Sequence, residues 1–203
     1  MSLFRKFFGI KSEGNKEHNT HSDERSKYMP DIKIPLDERF TINFKANGGK
    51  FLYSENLNEV RHNLNSILAE NDWNDKKVFL IDNQLADKFN DFNLSISRNT
   101  NESTFFFSTC EHLIANDGSL LISSRQIAEK KLKDLPDNFI IFATTSQLVD
   151  TISEGLKGIK EKSKKKIPSN ITTIKHFKTY EDKDFLSYGS SSKNLYLLLL
   201  EDL

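Results

Sequence analysis

Short apolar runs alternate with segments whose apolar residues recur at three- and four-residue spacing, and that alternation sets the expected order of elements. Lys50 to Tyr53 reads as a strand. The segment after it places Leu57, Val60, Leu64, Ile67 and Leu68 on one helical face, with Asn56 and Glu59 spaced as an N-cap and its partner at the third helical position. Lys77 to Ile81 is a second short strand, followed by a polar loop through Asn90. Two further runs, Thr104 to Phe107 and Ser119 to Ser123, flank Cys110-Glu111-His112-Leu113-Ile114-Ala115, which the spacing predicts as a short helix ending in the turn Asn116-Asp117-Gly118. Gln126 to Lys133 is expected to be at most a brief helix, stopped near Pro136. Phe139 to Ala143 is rich in strand formers, and the helix expected after it carries Leu148, Val149, Ile152, Leu156 and Ile159 on one face. Gly155 and Gly158 weaken that helix by about 1 kcal/mol apiece relative to alanine, which close packing on the sheet would explain. Strands near Ile171 to Ile174 and Asn194 to Leu200 complete the pattern. Continuous apolar strands alternating with one-faced helices predict an α/β domain, an open and mostly parallel sheet with helices on both faces.

Residues 1–38 differ in composition from residues 39–203, which carry the α/β pattern. Ser12 to Arg25 is almost wholly polar, so it buries too little to offset its ordering entropy and is expected to be a flexible tether. Ahead of it, Leu3, Phe4, Phe7 and Phe8 share one helical face among the basic residues Arg5, Lys6 and Lys11. Such an amphipathic segment, residues 1–11, suits a membrane surface, a partner's groove or a place on its own domain.

The chain has 203 residues, enough for one well-buried core. Lys plus Arg equals Asp plus Glu at 29 each, so no net field draws it to nucleic acid, and none is expected as a partner. A single cysteine, Cys110, excludes an internal disulfide and any cysteine-only metal or cluster site within one chain, and its expected role is that of a small buried residue. No metal site and no cofactor are expected. His18 and His21, three apart in the polar tail, are too few ligands for a designed centre. No P-loop, Rossmann fingerprint, serine-nucleophile elbow or metalloprotease signature occurs. With no signal-peptide pattern and no apolar run of bilayer length, the cytoplasm is the expected location. The run Lys162-Ser163-Lys164-Lys165-Lys166 reads as a solvated helix end, with phosphate binding as the alternative.

The ordered combination of four strings resembles the LUD domain of the lactate-utilisation family, the LutC/YkgG-like proteins. They are Ala46-Asn47-Gly48-Gly49 before the first strand, Ile114-Ala115-Asn116-Asp117-Gly118-Ser119-Leu120, Phe139-Ile140-Ile141-Phe142 with its helix, and the Leu-rich last strand after Gly189. The resemblance implies a fold like the NagB/RpiA/CoA-transferase group, whose ligands bind at the carboxyl ends of strands. It also implies a part in lactate oxidation beside iron-sulfur proteins.

Departures from the family pattern bear on chemistry. Relatives read Ala-Glu-Thr-Gly-Thr-Leu at the turn, with the glutamate where related acyl-transferring enzymes hold a carboxylate nucleophile; here that position is Asn116, whose amide forms no acyl anhydride. A Gly-Pro-Ser-Arg-Thr-Ala-Asp-Ile type loop is replaced by Lys175-His176-Phe177-Lys178-Thr179-Tyr180, and a Gly-X-His-Gly-Pro type turn by Gly189-Ser190-Ser191-Ser192. The candidate ligand-binding residues are therefore Asn116, Asp117, Gly118, Lys175, Lys178, Ser190, Ser191 and Ser192, with no catalytic residue assigned. Two functions follow from the resemblance and its departures. One is an accessory or noncatalytic component of lactate utilisation or a related redox assembly, acting through a protein partner; the other is an enzyme or sensor that binds a small anion or CoA-like metabolite at the turn.

Overall fold

The computed structural model describes residues 34–163, 167–177 and 193–202; the amphipathic segment 1–11, the two tail histidines, Lys178 and Ser190 to Ser192 lie outside them. In chain order the elements are α1 (Leu36–Ala46), β1 (Lys50–Ser54), α2 (Leu57–Glu70), β2 (Lys77–Phe79), α3 (Asn83–Lys88), β3 (Ser95–Ser97), β4 (Phe105–Thr109) and β5 (His112–Ile114). There follow β6 (Ser119–Ser123), α4 (Ser124–Ile127), β7 (Asn138–Thr144), β8 (Leu148–Val149), α5 (Ile152–Lys162), β9 (Ile171–Ile174) and β10 (Asn194–Leu200).

The main sheet has six strands in the order β1-β10-β7-β4-β2-β3, and every neighbouring pair is parallel. Its central strands read as continuous apolar runs because both faces are covered. Phe139, Ile141 and Ala143 of β7 and Leu195, Leu197 and Leu199 of β10 join one core, while Ile140, Phe142, Tyr196 and Leu198 join the other. On the second of these faces α2 and α3 contribute Val60, Leu64, Ile67, Leu68 and Leu85, closed by Trp73 stacked on Phe105 at 5.1 Å. The cap expected for α2 is present: the Asn56 side chain accepts from the Glu59 amide at 3.0 Å, and the Glu59 carboxylate accepts from the Glu55 amide at 2.9 Å.

The opposite face holds Phe40 and Phe44 of α1 together with a smaller four-stranded sheet, ordered β8-β5-β6-β9. Leu113, Leu120, Ile122 and Ile174 of that sheet turn inward, and Ile114 and Leu121 turn outward beneath Ile159 of α5. The molecule is thus layered as α2 and α3, parallel sheet, α1 with the second sheet, then α5. Helices lie on both faces of the parallel sheet, as the pattern predicts, and the second sheet is an addition that the pattern does not contain.

That addition corrects the sequence reading in two places. Cys110 to Ala115 is not a short helix: His112–Ile114 is strand β5, which runs antiparallel to β6 as a hairpin closed at Asn116 to Gly118. An Asp-Gly pair between apolar runs is a hairpin signal, and six residues are too few for helical periodicity to compete with it. Leu148 and Val149 are likewise strand β8 rather than helix, pairing with Leu113 and Ile114, and α5 starts only after its cap Thr151. The polar loop before Asn90 contains α3, capped by Asp82, and α1 straddles residue 38. Among the described residues no helix is long and apolar enough to cross a membrane.

Candidate functional site

Positions 116 to 118 form the tip of the β5–β6 hairpin, and the tip is seated against α1. Asn43 donates through Nδ2 to the carbonyl oxygens of Ala115 at 2.9 Å and Asn116 at 3.1 Å. One turn later Asn47 donates to the carbonyl of Asp117 at 2.7 Å. Gly118 has φ +66°, and a β carbon there would lie 2.3 Å from the Asn43 carbonyl carbon and the Phe44 amide nitrogen. Only glycine meets both the left-handed backbone and the close approach of α1.

Each candidate side chain at the tip can now be placed. Asn116 is exposed, and its backbone N–H donates to the Asp150 carbonyl at 3.0 Å. The Asp117 carboxylate turns back over its own chain, accepting from the Ser119 hydroxyl at 2.6 Å and the Ser119 amide at 3.2 Å. Its other oxygen stands 3.7 Å from Lys175 Nζ, so the structure brings together two of the residues singled out in the sequence. Two residues beyond Lys175, the Phe177 amide donates to the Asn47 carbonyl at 3.0 Å, and Phe177 bridges Lys193 immediately before β10. The described candidates therefore gather at the amino-terminal edge of the parallel sheet, where β1 and β10 begin. Open parallel sheets commonly place ligands at the opposite edge.

Polar groups at that opposite edge satisfy one another. Asp202, after β10, accepts from the Thr145 hydroxyl at 2.9 Å, the Ser146 amide at 2.8 Å and the Ser146 hydroxyl at 2.7 Å. Partial burial acts to raise the Asp202 pKa, but the hydrogen bonds from Ser146, Thr144 and Thr145 prevail and hold it below the ordinary carboxylate value. Tyr53 donates to Glu201, and Gln147 reaches back to the carbonyl of Cys110 at 2.5 Å. Glu111 accepts from the hydroxyl of Ser123 at 2.6 Å and the amide of Gln126 at 3.0 Å. Cys110 is buried, and that burial, with the Glu111 charge beside it, pushes its thiol pKa far up. The thiol is therefore not a nucleophile near neutral pH.

A half-open cleft of about 370 Å³ lies elsewhere, between α4 and Ile167-Pro168-Ser169. Its Glu129 carboxylate is taken by the Ser169 hydroxyl at 2.6 and 2.7 Å, and Arg125 donates to Ser163 at 3.0 Å. Among the described residues no three histidine, cysteine or acidic side chains are grouped to hold a metal.

The seating role of Asn43 and Asn47 has no signature in the sequence, because α1 has only a weak apolar stripe and an asparagine four residues before the asparagine that caps a helix is no recognised motif. The fold and the hairpin seat define a parallel α/β protein with a second sheet inserted between β4 and β10. The sequence profile of the LUD domain matches residues 38–200, and the chain belongs to that family. Its fold is similar to the crystal structure of a DUF162 family protein from Deinococcus radiodurans, with a TM-score of 0.55 and 11% identity over 82% of this chain and 96% of that one. No curated protein matches the chain in sequence.

Proposed function

We propose that this LUD-domain protein is an accessory, noncatalytic component of lactate utilisation or a related redox system, working in the cytoplasm through a protein partner. The observation that carries this reading is the state of the hairpin tip. Where the family resemblance places a reactive glutamate there is an exposed Asn116, and the adjacent Asp117 carboxylate is engaged by Ser119 and Lys175. An amide is neither a nucleophile nor a base near neutral pH, and a carboxylate tied into its own turn is poorly placed to replace it. The amphipathic residues 1–11 are the segment proposed to touch the partner or a membrane surface.

A strain lacking the protein, grown on lactate as sole carbon source, is the direct test. Slowed lactate oxidation, restored by supplying the protein but absent when the purified protein meets lactate alone, is the expected result. Growth at the wild-type rate eliminates the lactate role.

The second reading, an enzyme or sensor for a small anion or CoA-like metabolite, draws support from Lys175 at the tip, three residues before Lys178 and on the same segment between β9 and β10 as Ser190, Ser191 and Ser192. Calorimetry with CoA esters, sugar phosphates and 2-hydroxy acids decides it; heat with one class that Lys175→Ala abolishes supports it, and no heat with any of them removes it.

A further inference from the structure

The outward face of the second sheet holds a buried histidine that none of the contacts above employs. His112 on β5 is 5% exposed, and its Nδ1 lies 3.2 Å from the carbonyl oxygen of Gln147. A carbonyl only accepts, so Nδ1 carries the proton of the neutral ring and Nε2 is left as a bare lone pair. Nε2 is sealed from solvent without a hydrogen-bond partner. α5 is what seals it: a β carbon on Gly158 would lie 2.8 Å from Nε2, and one on Gly155 would lie 2.7 Å from Leu121, 3.2 Å from Ile114 and 3.5 Å from the His112 β carbon. The two glycines that weaken α5 are the surface on which the ring is seated.

A neutral imidazole leaves one unmet acceptor in this seat, a smaller cost than that of a buried charge. An imidazolium does not, because its second N–H would lack an acceptor and its charge would lack water. The charged groups acting on the ring are Lys162 in the last turn of α5 and Glu111 just before β5. Lys162 opposes a second positive charge, and Glu111, which favours one, has its Oε1 held by Ser123 and Gln126. β6 faces the ring with Leu121, and the turn before β8 with the Gln147 carbonyl. Burial dominates this balance and lowers the imidazole pKa from its ordinary value. The apolar anchor of α5 is small, being Ile159 on Ile114 and Leu121 with Val149 and Ile171 at its edge, while Ile152 and Leu156 stay 38% and 42% exposed.

We propose that His112 is a proton-operated latch, its neutral ring seating α5 on the second sheet and the uptake of one proton releasing the helix while the parallel sheet stays folded. Release uncovers Ile114 and Leu121. It also loosens Asp150, whose carboxylate pairs with Arg39 at 2.7 Å and whose carbonyl holds Asn116, so the hairpin tip is the part of the molecule the latch controls.

Amide exchange of the full chain, measured from pH 7.5 to 5 and corrected for intrinsic rates, tests the proposal beside an NMR titration of the histidine ring signals, with exposed His62 as reference. The expected result is selective loss of protection in α5, by about tenfold for each pH unit between the ordinary imidazole value, which applies once the helix has lifted, and the lowered value of the seated ring, the slope that one proton gives. β7 and α2 should keep their protection. His112→Asn, which keeps a donor toward Gln147 but cannot take up a proton, should abolish the pH dependence. Uniform loss across the molecule or α5 protection that ignores pH overturns the latch, and both readings need only the wild-type protein.

Discussion

Replacing Gly118 with alanine tests whether the hairpin tip is a seat for α1. The new β carbon would fall 2.3 Å from two backbone atoms of α1, and backbone has no rotamer into which it can retreat. A left-handed backbone carrying a β carbon costs about 1–2 kcal/mol. Forcing packed segments apart adds about 1–3 kcal/mol. α1 can escape by lifting away, but Phe40 and Phe44 are both fully buried, and giving up their burial costs about 1.5–3 kcal/mol each, so escape is no cheaper. The expected loss is therefore about 2–5 kcal/mol, a large part of the stability of an ordinary domain. Urea unfolding followed by circular dichroism reads it as a lower midpoint, and amide exchange should localise the change to residues 36–46. Asn43→Ala removes the donor to Ala115 and Asn116, and should add little to a protein already carrying Gly118→Ala, because both act on one contact. A midpoint indistinguishable from wild type, or full additivity of the two changes, would refute the seat.

Three other expectations concern parts of the molecule away from that contact. Cys110 should resist an aromatic disulfide reagent at pH 8 in the folded protein and react in denaturant, since its buried thiol is held protonated; rapid labelling of the native chain would contradict this. Asp202→Asn should destabilise the protein in a pH-dependent way. The folded pKa of Asp202 lies below the ordinary 3.8, so its stabilisation is complete above the unfolded value and is lost as pH falls through the folded one. The gap in thermal midpoint between wild type and variant should accordingly be widest above the ordinary carboxylate value and close as pH falls through the lowered one, and a gap that widens in acid would reverse the assignment. Lys193 is 2% exposed and donates to the Leu135 carbonyl at 3.0 Å and to Asp137 at 3.2 Å. Lys193→Met should cost about 1–3 kcal/mol in urea unfolding by stranding the Leu135 carbonyl, and a neutral result would mean that water reaches that oxygen.

Particular residues show how far the sequence could be followed. Asn56 and Glu59 announce α2 because a cap is a local device, written within four residues, and the Leu-rich β10 announces itself because both of its faces are buried. The second sheet was hidden for the opposite reason. β5 has three residues and β8 two, and each is a strand only because its partner is there, so neither length nor periodicity records them. At the hairpin tip the sequence gives Asp117 and Gly118 as a turn and Lys175 as a neighbouring cation, and the structure joins them. What it could not express is the seat on α1, because Asn43 and Asn47 act through carbonyl groups some seventy residues away, and carbonyls have no letter in the sequence.

The strand order has a consequence for how the polypeptide is made. Among the described residues β1 pairs only with β10 in the parallel sheet, and β10 separates β1 from β7. During synthesis from the amino end, Lys50 to Ser54 must wait as an open edge until Asn194 to Leu200 have left the ribosome, and a chain cut short before Asn194 would strand β1 altogether. The newborn protein is most exposed to edge-to-edge aggregation in that interval, and loss of β10 would leave it there permanently.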